Sequence, residues 1–182
     1  LLQGFEGILQ SDGYGAYESF ALKNKPVERI ACWAHVRRKF VEAESESPPA
    51  VRMVLRLIGQ LYRNESDCDQ KRYSPKLRAY RRLAWSALVL KRIEKVVKKL
   101  QMRARPKSQL GKACTYLLGQ WSARLRIQQY GQVQLDNNLI ENAIGPSAVG
   151  KKNFLLIGSP NAGKRSAIIY SLYPTHVRAN AS

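Results

Sequence analysis

Two carboxylates stand out by where they fall in the chain. Asp12 closes a short apolar run, Gly7-Ile8-Leu9-Gln10-Ser11, and is followed at once by Gly13. An acid at the carboxyl end of a strand is a common place for a metal ligand, and it is equally an ordinary Asp-Gly turn. Glu141 lies in Asp136-Asn137-Asn138-Leu139-Ile140-Glu141. There Asn138 as N-cap with Glu141 three residues on makes a capping box, which stabilises a helix start without any chemistry. The other reading puts Glu141 on the first turn of a helix, against a metal shared with Asp12. Spacing alone leaves both readings open.

Two further patterns invite chemistry and are set aside. Cys32-Trp33-Ala34-His35 holds two metal-capable side chains three apart, but a structural zinc site takes four ligands and no second pair exists. The sequence favours a strand-end histidine held by hydrogen bonds. The run Phe154–Ile157 followed by Gly158, four residues and Gly163-Lys164 is nearly a phosphate-binding loop. Arg165 stands where the Mg²⁺-holding hydroxyl is needed, and only 17 residues remain for the strand and acid that would follow. No nucleotide cofactor is expected.

The elements that must position these residues follow from local pattern. Residues 7–12 read as a strand, Gly13 and Gly15 as a turn into a helix through Tyr17 and Phe20, and Val27–Ala34 as a second strand after the break at Lys25-Pro26. A basic helix His35–Ala43 puts Val36 and Phe40 on one side. Ser45–Pro49 reads as a linker. Helical spacing resumes at Ala50 through Val51, Val54, Leu55, Ile58, Leu61 and Tyr62, and a polar break is expected over Asn64–Gln70. Ser74-Pro75 starts another helix, which could run to Arg105 with Leu83, Leu90 and Val97 in one row and Ile93 and Leu100 in the next. Leu110, Cys114, Leu117, Leu118, Trp121 and Leu125 give a third amphipathic helix. Asp136-Asn137-Asn138 begins a helix, and Ala162–Leu172 forms the last one. These elements suggest three regions, 1–44, a basic helical insertion over 45–130, and a return over 131–182.

Charge sharpens the picture. The 182 residues carry 31 Lys+Arg against 13 Asp+Glu, a net +18. Residues 1–70 hold 9 basic and 10 acidic side chains, whereas residues 71–182 hold 22 and 3. Only Glu94, Asp136 and Glu141 are acidic in that second part, so each carboxylate there invites a reason. Residues 91–112 hold nine Lys/Arg and one acid. A merely solvated helix face alternates signs; this one points to phosphate-backbone contact, and a net charge of this size attracts nucleic acid first and an anionic membrane second. Three widely spaced cysteines imply no disulfide framework. With no signal peptide at Leu1 and no apolar run near 18 residues, a cytoplasmic setting and no membrane association are expected.

Five segments occur in an order that resembles the catalytic region of the IS66 family of bacterial insertion-sequence transposases. They are Leu9-Gln10-Ser11-Asp12-Gly13-Tyr14-Gly15-Ala16-Tyr17, Cys32-Trp33-Ala34-His35-Val36-Arg37-Arg38-Lys39-Phe40, Asp136-Asn137-Asn138-Leu139-Ile140-Glu141-Asn142-Ala143-Ile144, Gly150-Lys151-Lys152-Asn153-Phe154-Leu155 and Ser166-Ala167-Ile168-Ile169-Tyr170-Ser171-Leu172. The resemblance covers nearly the whole chain and is weakest through the helical middle.

It implies an α/β, ribonuclease-H-like fold, here partial, with few strands and a largely α-helical insertion that makes the chain predominantly helical. It implies an Asp-Asp-Glu triad in which Asp12 matches the second Asp and Glu141 the Glu, both as catalytic metal ligands. Two Mg²⁺ (or Mn²⁺) ions about 4 Å apart would activate the nucleophile and stabilise the leaving oxygen at a phosphodiester. Cys32, His35 and Asn138 would brace the site. Arg37, Arg38, Lys39, Lys91, Arg92, Lys95, Lys98, Lys99, Arg103, Arg105, Lys151, Lys152, Lys164 and Arg165 would hold element ends and target DNA, in a homo-oligomer that is nucleoid-associated when bound. The triad's first Asp has no match among the 11 residues before Asp12, so the chain reads as a carboxyl-terminal fragment or a decayed remnant, inactive alone. Gly145 where the family usually has Arg before Pro146, and Pro174 inside the family's last helix, depart from the pattern in the same direction. The alternative is a basic nucleic-acid-binding protein without catalysis.

Overall fold

The computed structural model describes residues 4–138 and, singly, Asn161, Gly163 and Arg165. The chain divides into two units, Leu1–Asn137 and Asn138–Ser182, and the architecture below is that of the first. Glu141, Gly145, Lys151, Lys152, Lys164, Pro174 and the Phe154–Ile157 run lie outside the described residues.

Strand β1 (Gly7–Ser11) and strand β2 (Val27–Ala31) pair in parallel, Gly7 opposite Val27 and Ser11 opposite Ala31. Parallel pairing demands a crossover, and α1 (Gly15–Lys23) supplies it. The second strand stops at Ala31, three residues short of the sequence expectation. Its chain already turns at Cys32, and helix α2 (Trp33–Glu42) starts there because the Trp33 N–H donates to the Leu135 carbonyl at 3.0 Å instead of continuing the ladder. His35 therefore sits in the first turn of a helix, not at a strand end.

Helices dominate from there on. α3 (Pro48–Gln70) opens with two prolines in its first turn, where a missing N–H costs nothing, so it begins inside the stretch expected to be a linker. It also runs straight through Asn64–Gln70, where a break was expected. Its late acids have partners on the segment that follows: Glu65 meets Arg78 and Arg82, Asp67 meets Arg81, and Asp69 meets Arg78. The Asn64 amide bonds both Ser86 and Arg81.

Helix α4 (Pro75–Arg81) starts as its sequence announces, with the Ser74 hydroxyl accepting the Leu77 N–H at 3.3 Å. A π-helical turn over Arg82–Ser86 joins it to α5 (Ala87–Arg103). The extra residue in that turn rotates everything before it out of phase with α5. Leu90, Ile93 and Val97 are buried as their row predicts, but Leu83 is 54% exposed, and Arg82 points inward with 1% exposure. The expected third helix is two: α6 (Gln109–Gly119), with Leu110, Cys114 and Leu117 buried, and α7 (Trp121–Leu125), bent at Gln120. A single 3₁₀ turn, Arg126–Gln128, follows.

One core joins these pieces. Ile30, Trp33, Val36 and Phe40 pack with Val51, Val54, Ile58, Leu90, Ile93, Val97, Cys114 and Leu117. Among the described residues no helix is long and apolar enough to cross a membrane.

Arg82 ties the bundle together. Its Nε and Nη2 engage the Glu65 carboxylate at 2.8 and 2.6 Å, while Nη1 and Nη2 also donate to the carbonyls of Ile127, Tyr130 and Val133 at 2.9, 2.7 and 2.8 Å. Removing one member of such a pair strands the other charge in the interior, so Arg82→Ala is expected to cost about 3–5 kcal/mol in urea denaturation. An apolar replacement of both Arg82 and Glu65 should recover only part of this, because three carbonyls still lose their donor. Burial also raises the Cys114 thiol from 9.0 to about 11. The proton is then held more tightly in the folded chain, so stability is complete below pH 9 and is expected to drain as pH rises toward 11. Denaturation midpoints at pH 8 and pH 10.5, compared with those of Cys114→Ala, check this.

Candidate active site at the strand ends

Ligand sites in open parallel sheets gather beyond the carboxyl ends of the strands, where loops leave the ladder. Here the two ends lie side by side, and the Cys32 N–H donates to the Ser11 carbonyl at 3.0 Å, one step past the last paired residues. Asp12 is the next residue on β1. Its Oδ1 accepts the Tyr14 N–H at 3.0 Å, so the carboxylate does make the turn that Asp-Gly suggests. That bond also fixes the orientation of the group, which a ligand needs as much as a turn does.

The turn is closely covered. A Cβ at Gly13 would lie 2.6 Å from Gln120 Nε2, 2.8 Å from the Tyr116 hydroxyl and closer still to the Tyr116 ring. Glycine is required here by approach, not by backbone angle. On the other side Arg29, 4% exposed on β2, donates from Nη1 to the Asp12 carbonyl at 3.2 Å and to Gln120 Oε1 at 3.0 Å. Behind Tyr116 lies Arg124, wholly buried, with its guanidinium carbon 5.0 Å from the ring centroid. Burial brings its pKa down to about 10, and the ring face supplies part of the compensation that water would give.

The second strand end is occupied differently. Cys32 is buried and holds its proton: desolvation pushes the thiol up, against the backbone N–H groups of His35, Asn137 and Ala34. Beside it, burial and the Asp136 carboxylate raise the pKa of Tyr62, whose hydroxyl is hydrogen-bonded to Asp136, with Arg37 acting in the opposite sense. The segment 133–137 is thus stitched to the sheet end: Gln10 Nε2 donates to the Gln134 carbonyl at 2.7 Å, and Leu135 accepts from Trp33. Asn138, the first residue of the second unit, is helical and exposed.

The expected metal needs oriented carboxylates. Asp12 suits one ligand position, being a carboxylate held at the strand ends. No group of three His, Cys, Asp or Glu side chains placed to share an ion occurs among the described residues.

The expected DNA contacts lie on two helices. Arg37, Arg38 and Lys39 are exposed on α2, with Lys39 paired to Glu42 at 3.0 Å. Lys91, Arg92, Lys95, Lys98, Lys99 and Arg103 are exposed on α5, opposite its buried Leu90, Ile93 and Val97, and Arg105 is exposed just beyond. Of this face, Lys98 is paired with Glu94 at 2.8 Å. Arg165 is exposed and helical.

Arg29, Tyr116, Gln120 and Arg124 escape sequence reasoning. Only Arg29 leaves a trace, as a charge within an otherwise apolar strand. Asp136 left a clearer one, as one of three acids in a basic stretch. Gly13→Ala is expected to destabilise the chain by about 1–3 kcal/mol in urea denaturation, as overpacking does, because the Tyr116 ring must move to admit the methyl.

Residues 1–165 match the family described as Transposase IS66 family. The uncharacterized protein y4qI of Sinorhizobium fredii is 31% identical over 182 residues, which cover 96% of this chain and 33% of that protein. Protein y4jD of the same organism is 29% identical over 178 residues, covering 94% and 34%. The chain spans about a third of the length of these relatives. No solved structure matches it.

Proposed function

The chain belongs to the IS66 family of transposases, and from that premise we propose that it forms part of a DNA-cleaving and strand-joining site of the Asp-Asp-Glu type. The observation that carries the reading is Asp12, a carboxylate oriented by the Tyr14 N–H at the carboxyl end of a parallel strand. The parallel strand–helix–strand unit with a helical region after it is consistent with a partial ribonuclease-H-like domain carrying an insertion.

In this reading Asp12 and Glu141 are metal ligands. A divalent ion, Mg²⁺ or Mn²⁺, would supply activation of a hydroxyl or water and charge stabilisation at the leaving oxygen. The chain's own residues orient and hold. The Asp12 turn is fixed by the Tyr14 N–H. Cys32, buried in the core, and the Tyr62–Asp136 pair fix the segment 133–137, with His35 and Asn138 as supporting residues. The exposed Lys and Arg of α2 and α5 track the phosphate backbone, joined by Lys151, Lys152, Lys164 and Arg165. We propose that the 182 residues bind DNA. Action on paired ends as a homo-oligomer, in the cytoplasm and on the nucleoid, belongs to the same proposal.

A second reading, a nucleic-acid binder without catalysis, draws on the basic face of α5 alone. The two part company in a full-length family member carrying this region. Asp12→Asn and Glu141→Gln are expected to abolish Mg²⁺-dependent cleavage of element ends while DNA affinity is kept; cleavage that survives both changes overturns the catalytic reading. For the 182-residue chain, replacing Lys91, Arg92, Lys95, Lys98 and Lys99 by Gln is expected to flatten the salt dependence of DNA affinity. Each lost phosphate contact removes roughly 0.9 from the slope of log K against log salt. An unchanged slope removes α5 from the interface.

A further inference from the structure

The environment of the Asp12 turn contains a buried cation that the proposed chemistry does not use. Arg29 is 4% exposed, and among the described residues the carboxylate paired with it, Glu18, is half exposed and 3.9 Å away. So weakly neutralised a guanidinium is costly to bury, and its stabilising interactions are chiefly the hydrogen bonds it makes. Those bonds are specific: one Nη1 reaches both the Asp12 carbonyl and the Gln120 side-chain oxygen. Its own carbonyl in turn accepts from Arg126 Nη1 at 3.1 Å, so strand and helical region are joined from both directions.

We propose that Arg29 is a positioning residue for Asp12, with Gln120 as the residue that aims it. Resting on the reading of Asp12 as a metal ligand, the assignment adds which groups keep that carboxylate in place. Tyr14 fixes the carboxylate about its own bond. Arg29 fixes the peptide that follows it. Gln120, from the bend between α6 and α7, holds the Arg29 fork in the one orientation that reaches the Asp12 carbonyl, while Tyr116 and Gln120 close over Gly13 so that the turn cannot lift. The turn is thereby set by the helical region as well as by the sheet. Lysine is expected to serve less well, because the planar guanidinium fixes the directions of both Nη1 N–H bonds, whereas an ammonium turns freely on a flexible stem.

The test uses Mn²⁺ as probe on the 182-residue chain, with amide hydrogen exchange at Gly13 and Tyr14 read alongside. Asp12→Asn is expected to remove the Mn²⁺ site that broadens the resonances of residues 11–14. Arg29→Lys is expected to weaken Mn²⁺ by about tenfold or more, as loss of a partner that orients a ligand does, and to speed exchange at Tyr14 while amides in α3 keep their rates. Gln120→Ala is the milder variant, expected to move both readouts the same way; it decides the matter should Arg29→Lys not fold. If Asp12→Asn acts and neither Arg29→Lys nor Gln120→Ala changes Mn²⁺ affinity, the positioning role is overturned and the ligand reading stands. If Asp12→Asn leaves Mn²⁺ binding unchanged, the ligand reading fails and the positioning role falls with it, whatever exchange shows.

Discussion

A single buried guanidinium sets the arrangement on which the rest of the first unit depends. Arg82 meets Glu65 on α3 and, from the same fork, three carbonyls between Ile127 and Val133. Those carbonyls lie on a 3₁₀ turn and the loop after it, backbone that satisfies its own groups less fully than an α-helix and needs donors where it is buried. Arg82 is that donor. The π-helical turn is what brings Arg82 inward at the expense of Leu83. Without it the long helix would present an apolar row to the core, and the segment leading to Asp136 would have no anchor on the bundle.

From that anchor the geometry of the strand ends follows. The segment held by Arg82 at Val133 goes on to cover the sheet, accepting from Gln10 at Gln134 and from Trp33 at Leu135. The last of these bonds is also what ends β2 and starts α2, so one contact determines the strand boundary, the helix start and the position of Cys32. Asp136, an acid in a strongly basic stretch, is explained here by Tyr62. Asp12 is held from the other side by Arg29 and Gln120. Sheet and helices therefore share the work of shaping this end of the molecule, while the charged faces of α2 and α5 point away from the core they enclose.

What could be read in the sequence is what local chemistry decides. The β1–α1–β2 unit follows from an apolar run, two glycines and a Lys25-Pro26 break, and the start of α4 from Ser74-Pro75. The buried rows of α3 and α5 follow from spacing. Asp12 could be singled out because its place after a strand is a local fact. The departures have one physical origin: they are settled by partners far along the chain. Asn64–Gln70 look like a break until Arg78, Arg81 and Arg82 arrive to neutralise them. Leu83 looks like core until Arg82 claims the inward position. Arg29, Tyr116 and Gln120 acquire meaning only when a strand and a distant helix meet at Gly13, and no periodicity reports that.

The bond between Gln10 and Gln134 spans 124 residues, and that between Glu28 and Tyr130 spans 102. During synthesis the strand pair is therefore made long before the segment that covers its end. At roughly 5–20 residues per second, the interval is on the order of ten seconds. Throughout it the apolar end of β2 and the Trp33 indole must wait without their cover, on a ribosome that is still making the basic helices. A chain built this way depends on whatever shields a nascent apolar surface, and slowing translation across residues 71–130 should lengthen its exposure to aggregation more than a pause anywhere before Gly7 or after Asn137.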